Sequence, residues 1–162
     1  MVMKKQVFLG GSCNPTTWRA DIAVPALEAA GVAFYNPQVE DWSGQDAIYK
    51  AQGILGGIAK VDSDEKEASE VLLFVIDNKT RAIASILEAT EYAVKGRNVA
   101  LVVSKIADGA VITNQTITGG ELKDLNRARV YLMDVASRNP NNVVVYPDVE
   151  SAVKGVIEVL KQ

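Results

Sequence analysis

The chain has 162 residues, a hydrophobic share of 48%, a charged share of 23% and a formal net charge of −3, the balance of a globular protein with enough length for one full core. This mild acidity argues against a nucleic-acid polymer or an anionic membrane as partner. Histidine is absent and cysteine occurs once, at Cys13, which excludes Ser-His-Asp and Cys-His catalysis and an intrachain disulfide, and deprives zinc of its usual ligands.

MVMKK leads into VFLGG, an apolar run too short for a signal-peptide core. Residues 6–10 read as a first strand, followed by the loop GSCNPTT and a helix over about 18–30 that Gly31 ends. VAFYN (32–36) is a second strand. PQVEDWSG is irregular, a helix covers roughly 45–59, and a short acidic helix over about 64–70 leads into VLLFVI (71–76). That continuous apolar run suits a parallel strand covered on both faces. DNKT is turn and cap chemistry, RAIASILEATEYAVKG a helix ending near Gly96, and NVALVV (98–103) a fourth strand. Residues 104–120 show no clean periodicity and read as a long loop. A helix over about 121–137, the strand NVVVYP (142–147) and a last helix over 149–161 complete the chain. The order predicts an α/β fold, one domain over 1–162 with a five-stranded parallel sheet flanked by helices. No segment is apolar over a membrane-spanning length, so a cytoplasmic protein is expected.

Such sheets bind ligands at the carboxyl ends of their strands. The loop GGSCNPTTWR (10–19) has the strand–loop–helix setting that receives an anion or a polar ring, and its glycines let a ligand approach the backbone. It lacks GxGxxG and Gly-Lys-Ser/Thr. The alternative is a tight turn with Thr16 or Thr17 as helix cap. Gly11, Ser12 and Arg19 are its candidate binding residues, and Cys13 at a helix start is a candidate thiolate or a plain loop residue. Trp18, Tyr35 and Trp42 are placed to stack on a base or to cover the sheet edge. After the third strand come Asp77, Asn78, Thr80 and Arg81.

Glu88 has two competing roles. On a helical wheel Ile83, Ile86, Leu87, Thr90 and Val94 share a face and Glu88 falls opposite, with Arg81, Ser85 and Tyr92. Periodicity alone makes it a surface glutamate unless a pocket is built over that face. Glu91 and Lys95 fit an ordinary helix ion pair. Asp62, Asp64 and Glu65 fall at a helix start, where the dipole favours carboxylates. Their functional role would be as a general acid opposite Glu88.

The segments FLGGSCNPTTWRADIAVPALEAAGVAFYNPQVEDW (8–42) and VLLFVIDNKTRAIASILEATEYAVKGRNVALVV (71–103) resemble the nucleoside 2-deoxyribosyltransferase-like family, in the branch marked by GGS…TTWR and YNPQV…W. The resemblance implies a flavodoxin-like or Rossmann-like sheet and a homo-oligomer with shared active sites. It implies that Glu88, eight residues before Gly96, is the nucleophile. An aspartate some two dozen residues earlier assists as acid/base, which favours Asp64 over Asp62. Asn114 would hold the sugar 5′-hydroxyl in a neighbouring subunit's site, and Asn36, Asn78 and Arg81 join the substrate-binding candidates. No metal or organic cofactor is implied. Two departures stand out. Ala82 occupies the position where better-known members carry Asp or Ser, and the first loop offers Ser12 and Cys13 where they carry a tyrosine.

The expected activity is 2′-deoxyribosyl transfer between bases of 2′-deoxynucleosides, with retention, through a deoxyribosyl ester of Glu88. The alternatives are hydrolysis of deoxynucleoside 5′-monophosphates, with Arg19 or Arg81 on the phosphate, and a nucleotide-binding module without catalysis.

Overall fold

The computed structural model of the protein describes residues 6–162, and the MVMKK stretch lies outside them. Strand β1 (Val7–Gly11) is followed by a helix that opens as a π-turn over Arg19–Ala23 and continues as α1 (Val24–Ala29). The cause is Pro25, which has no N–H to donate into the ladder; just upstream the Val24 N–H reaches back five residues to the Arg19 carbonyl. Strand β2 is only Phe34–Tyr35. Next come α2 (Trp42–Ala51), α3 (Gly57–Ala68), β3 (Val71–Ile76), α4 (Ile83–Val94) and β4 (Val99–Val103). The chain ends with a hairpin of β5 (Ala110–Ile112) and β6 (Gln115–Ile117), then α5 (Gly119–Arg138), β7 (Val143–Val145) and α6 (Val149–Leu160).

The main sheet is fully parallel with order β2-β1-β3-β4-β7. Counting its own strands alone, this is the 2-1-3-4-5 order of flavodoxin-like folds, whose direction reverses between β1 and β3. Successive residues of each strand point to opposite faces. Val7, Leu9, Leu73 and Val75 pack with Leu27, Val153 and Val156 under α1 and α6. Phe8, Leu72, Phe74 and Ile76 pack with Ile86, Ala89, Tyr92 and Leu132 under α4 and α5. That two-sided cover is why VLLFVI is apolar throughout.

Three sequence expectations change. The helix expected over 45–59 is two elements. Asp41 starts α2 early by accepting from the Ser43 and Gly44 N–H groups, both at 3.1 Å, and the left-handed Gly53 and Gly56 separate it from α3. Asp46 in α2 accepts from the Ile58 N–H at 3.0 Å, so one helix caps the next. Consequently α3 begins well before the acidic run, and Asp62, Asp64 and Glu65 sit inside the helix rather than at its dipole end. The loop expected over 104–120 contains the β5–β6 hairpin, turned by the left-handed pair Thr113 and Asn114. Ile112 and Ile117 bury against Ile106 and Leu125 in a small satellite core. Among the described residues no helix is long and apolar enough to cross a membrane.

Candidate active site

The switch point between β1 and β3 opens into a cleft of about 520 Å³. Its floor is the loop after β1. Gly11 has φ +107°, and a Cβ there would run into the Val75 main chain, so only glycine lets β1 end this close to β3. The Ser12 hydroxyl then ties the loops together, accepting from the Asp77 N–H at 3.1 Å and from the Thr80 hydroxyl at 2.8 Å. The Ser12 carbonyl accepts from the Thr16 hydroxyl (2.9 Å), Trp18 Nε1 (3.1 Å) and Arg19 Nη1 (2.6 Å).

Those bonds relocate two expected binding residues. Arg19 is only 1% exposed and spends its remaining donors on the Leu9 and Gly11 carbonyls, at 2.9 and 3.2 Å. Trp18 is buried beneath the same loop, with the Arg19 guanidinium 4.3 Å from its ring centre. Both brace the loop from behind, and neither lines the cleft. The Thr16 hydroxyl serves the same loop rather than capping a helix. Cys13 does line the cleft, but burial pushes its thiol up more strongly than Arg19 draws it down, which disfavours a thiolate.

One wall comes from α3. Ile58, Asp62 and Lys66 follow one another at helical spacing and line the cleft. Asp62 accepts from the Tyr35 hydroxyl at 3.0 Å. Burial raises its carboxyl above the usual range, with Glu88 and Glu65 adding to the rise while Tyr35 and Lys66 oppose it. Tyr35 stacks on Phe8, with centroids 5.6 Å apart. Its phenol is raised by burial and by Asp62, so it stays protonated as a donor. Asp64 points to solvent and pairs with Lys60 at 2.5 Å. Two residues along a helix is about 200° of rotation, so of the two aspartates Asp62 lines the cleft and Asp64 does not.

The opposite wall is α4. Its buried face is Ile86, Ala89, Tyr92 and Ala93, whereas Ile83, Leu87 and Val94 are exposed. The apolar face expected from the wheel is thus rotated. Glu88 lies half-buried on the flank of the true buried face and lines the cleft, so a pocket does stand over the face that carries it. Its Oε1 receives Lys66 Nζ at 2.6 Å, with the lysine side chain 7% exposed and the glutamate 39%. The helix starts at Ala82, which lines the cleft in the left-handed region with φ 56°. An alanine there costs on the order of 1 kcal/mol. We expect Ala82→Gly to raise stability by about 0.5–1 kcal/mol; a loss of stability in urea melts would contradict this account of the turn.

Of the remaining candidates, Trp42 lines the cleft beside Pro37 and Ile58, and Gly11 and Ser12 form its floor. Asn36 is exposed and accepts from the Gln38 N–H at 3.0 Å. Asn78 is exposed on the turn after β3. Arg81 turns away, donating to Glu121 at 2.8 Å and Gln115 at 2.7 Å. Asn114 sits at the hairpin tip and does not line this chain's cleft. Sequence reasoning passed over Lys66, an apparent member of a solvated acidic helix, and Arg129, which holds the turn after β3. Among the described residues no group of three or more His, Cys, Asp or Glu is gathered to hold a metal ion.

A protein-family model described as nucleoside 2-deoxyribosyltransferase like matches residues 4–106. The chain belongs to that family. The matched span carries β1 through β4 and so includes the whole cleft, with Gly11, Asp62, Lys66 and Glu88, whereas Asn114 and α5 lie beyond it. No curated protein matches the chain.

Proposed function

We propose that the cleft transfers 2′-deoxyribosyl groups between nucleobases, with retention. One observation carries this reading: Glu88 and Asp62, from different helices, line one cleft at the switch point of the sheet. Two carboxylates with different environments can divide the chemistry. Glu88, paired with a cation, is the nucleophile and attacks C1′ of a 2′-deoxynucleoside. Asp62, raised by burial, is the acid that protonates the departing base and then the base that deprotonates the incoming one. Tyr35 holds one Asp62 oxygen and leaves the other for the proton. Trp42, Pro37 and Ile58 offer an apolar wall for the nucleobase.

Hydrolysis of a 5′-monophosphate fits less well. Arg19 is buried on main-chain carbonyls, and Arg81 is turned away from the cleft toward Glu121 and Gln115. Among the described residues the cleft is lined by one cationic side chain, Lys66, already paired with Glu88. The test is a chromatographic exchange assay with deoxyinosine or thymidine and free adenine. Deoxyadenosine formation supports the transferase, free sugar without a new nucleoside favours a hydrolase, and no turnover leaves a binding module.

A homo-oligomer belongs to the same proposal. Leu87 on α4 and Val130 and Tyr131 on α5 are exposed and line one groove, an apolar surface typical of an interface. Asn114, standing off its own cleft, is then free to complete a neighbour's. Light scattering should give a mass above that of one chain, and Leu87→Glu with Tyr131→Glu should reduce it to one; a monomeric wild type would end this part of the reading.

A further inference from the structure

We infer that Lys66 is the positioning residue of this site: a buried cation shared by Glu88 and Asp62, which pairs with whichever of the two is ionised as the reaction proceeds. The inference rests on the proposed transfer reading and adds a part to it.

Lys66 is an unusual place for a lysine. Its side chain is 7% exposed, and its ammonium lies 5.4 Å from the Phe8 ring centre and 5.7 Å from that of Tyr92. The carboxylate it touches is Glu88 Oε1, at 2.6 Å. Asp62 stands one turn earlier on the same helix, so 62 and 66 share a face, and the Lys66 charge acts on its carboxyl in the direction of ionisation. The other titratable groups around Asp62 are Tyr35 on β2, Glu65 on α3, Glu88 on α4, and Cys13 and Arg19 at the loop after β1. Of the two cations, Arg19 is fixed to main-chain carbonyls. Lys66, on a flexible stem of four carbons, is the one able to change partner.

The charge balance of the reaction then has a simple form. The transfer starts from the form in which Glu88 is a carboxylate, Lys66 an ammonium and Asp62 holds a proton. As Glu88 Oε bonds to C1′, the C1′–N bond breaks, its electron pair goes to the base nitrogen, and the Asp62 proton follows. Glu88 is now a neutral ester and Asp62 a carboxylate. Lys66, which would be left buried without a counter-charge, turns to Asp62. In the second half the incoming base nitrogen bonds to C1′ and gives its proton to Asp62. The ester C1′–O pair returns to Glu88, and Lys66 returns with it. The net charge of the three groups never changes, so a desolvated site reorganises little.

Lys66→Met and Lys66→Gln remove the charge at similar length, and Lys66→Arg keeps it. Rapid quench would follow release of the first base, and intact mass the deoxyribosyl adduct and its discharge by added adenine. Without the cation, Asp62 ionises at higher pH in the intermediate. The acidic limb of the discharge step should therefore move up by about one unit, slowing that step roughly tenfold below the limb. Release of the first base needs an ionised Glu88, which at 39% exposure keeps solvent contact when Lys66 is removed. That step should slow in the same direction but less, so adduct accumulates, and Lys66→Arg should restore the wild-type profile. Equal slowing of both halves with an unmoved pH profile, in both neutral variants, would overturn the shared-cation role alone. A wild type that forms neither adduct nor exchanged nucleoside would overturn the transfer reading, and this inference with it.

Discussion

Glu88→Gln should abolish base exchange, by a factor on the order of a million or to below detection, while leaving the protein folded. A nucleophile has no substitute in a two-step displacement, and removing one costs about that much in covalent enzymes. Glutamine is the informative replacement because its amide oxygen still accepts from the buried Lys66 ammonium, whereas alanine would strand that charge. Asp62→Asn should cost about 10²–10⁴-fold, the usual worth of a general acid. Asp64→Asn should cost less than about threefold, since its pair with Lys60 is exposed at both ends. Chromatographic exchange, with circular dichroism to confirm folding, checks all three. Full activity in Glu88→Gln would remove the covalent mechanism, and an inactive Asp64→Asn beside an active Asp62→Asn would reverse the roles of the two aspartates.

The centre of the sheet was legible because β3 and β4 are covered on both faces and therefore apolar throughout, as VLLFVI and VALVV are. The site was legible only in part, and the reasons differ residue by residue. Helix α4 carries apolar residues on two faces, so a wheel cannot decide which is inside; Ile83 and Leu87 are on the outside, whereas the wheel takes them as buried and Glu88, opposite them, as exposed. The inward stripe of α3 is mostly polar, since Ile58, Asp62 and Lys66 follow each other at helical spacing with one apolar member. No hydrophobic periodicity marks such a helix, and neither its start at Gly57 nor which of Asp62 and Asp64 faces the cleft was visible. The family resemblance pointed to an aspartate in this stretch but not to which of two neighbours faces the cleft; the helical rotation puts Asp62 on it and Asp64 in solvent. Arg19 and Arg129 fail differently: an arginine that binds only main-chain carbonyls has no sequence partner to betray it.

Arg129→Met should lower stability by about 3 kcal/mol, or roughly 10 °C in Tm for a chain of this size. Arg129 lies on the buried side of α5, 1% exposed. It donates to the carbonyls of Asp77 (2.8 Å), Thr80 (2.9 Å), Arg81 (3.3 Å), Ser104 (2.9 Å) and Leu125 (3.2 Å). Burying a guanidinium opposes stability, and a replacement by an apolar side chain sometimes relieves that cost. Relief requires that the partners go too. Here they are main-chain oxygens that stay in place, and each one left buried without a donor costs on the order of 1 kcal/mol. Unsatisfied acceptors therefore outweigh the relief. Three of the five belong to the turn between β3 and α4, whose Asp77 N–H and Thr80 hydroxyl also bind Ser12 at the cleft floor. The same substitution should raise KM for the nucleoside at temperatures where the protein remains folded. Arg127→Met, on the exposed side of the same helix, should stay within about 0.5 kcal/mol. If both variants melted alike, Arg129 would be a surface-like residue and the turn after β3 would owe its shape to something else.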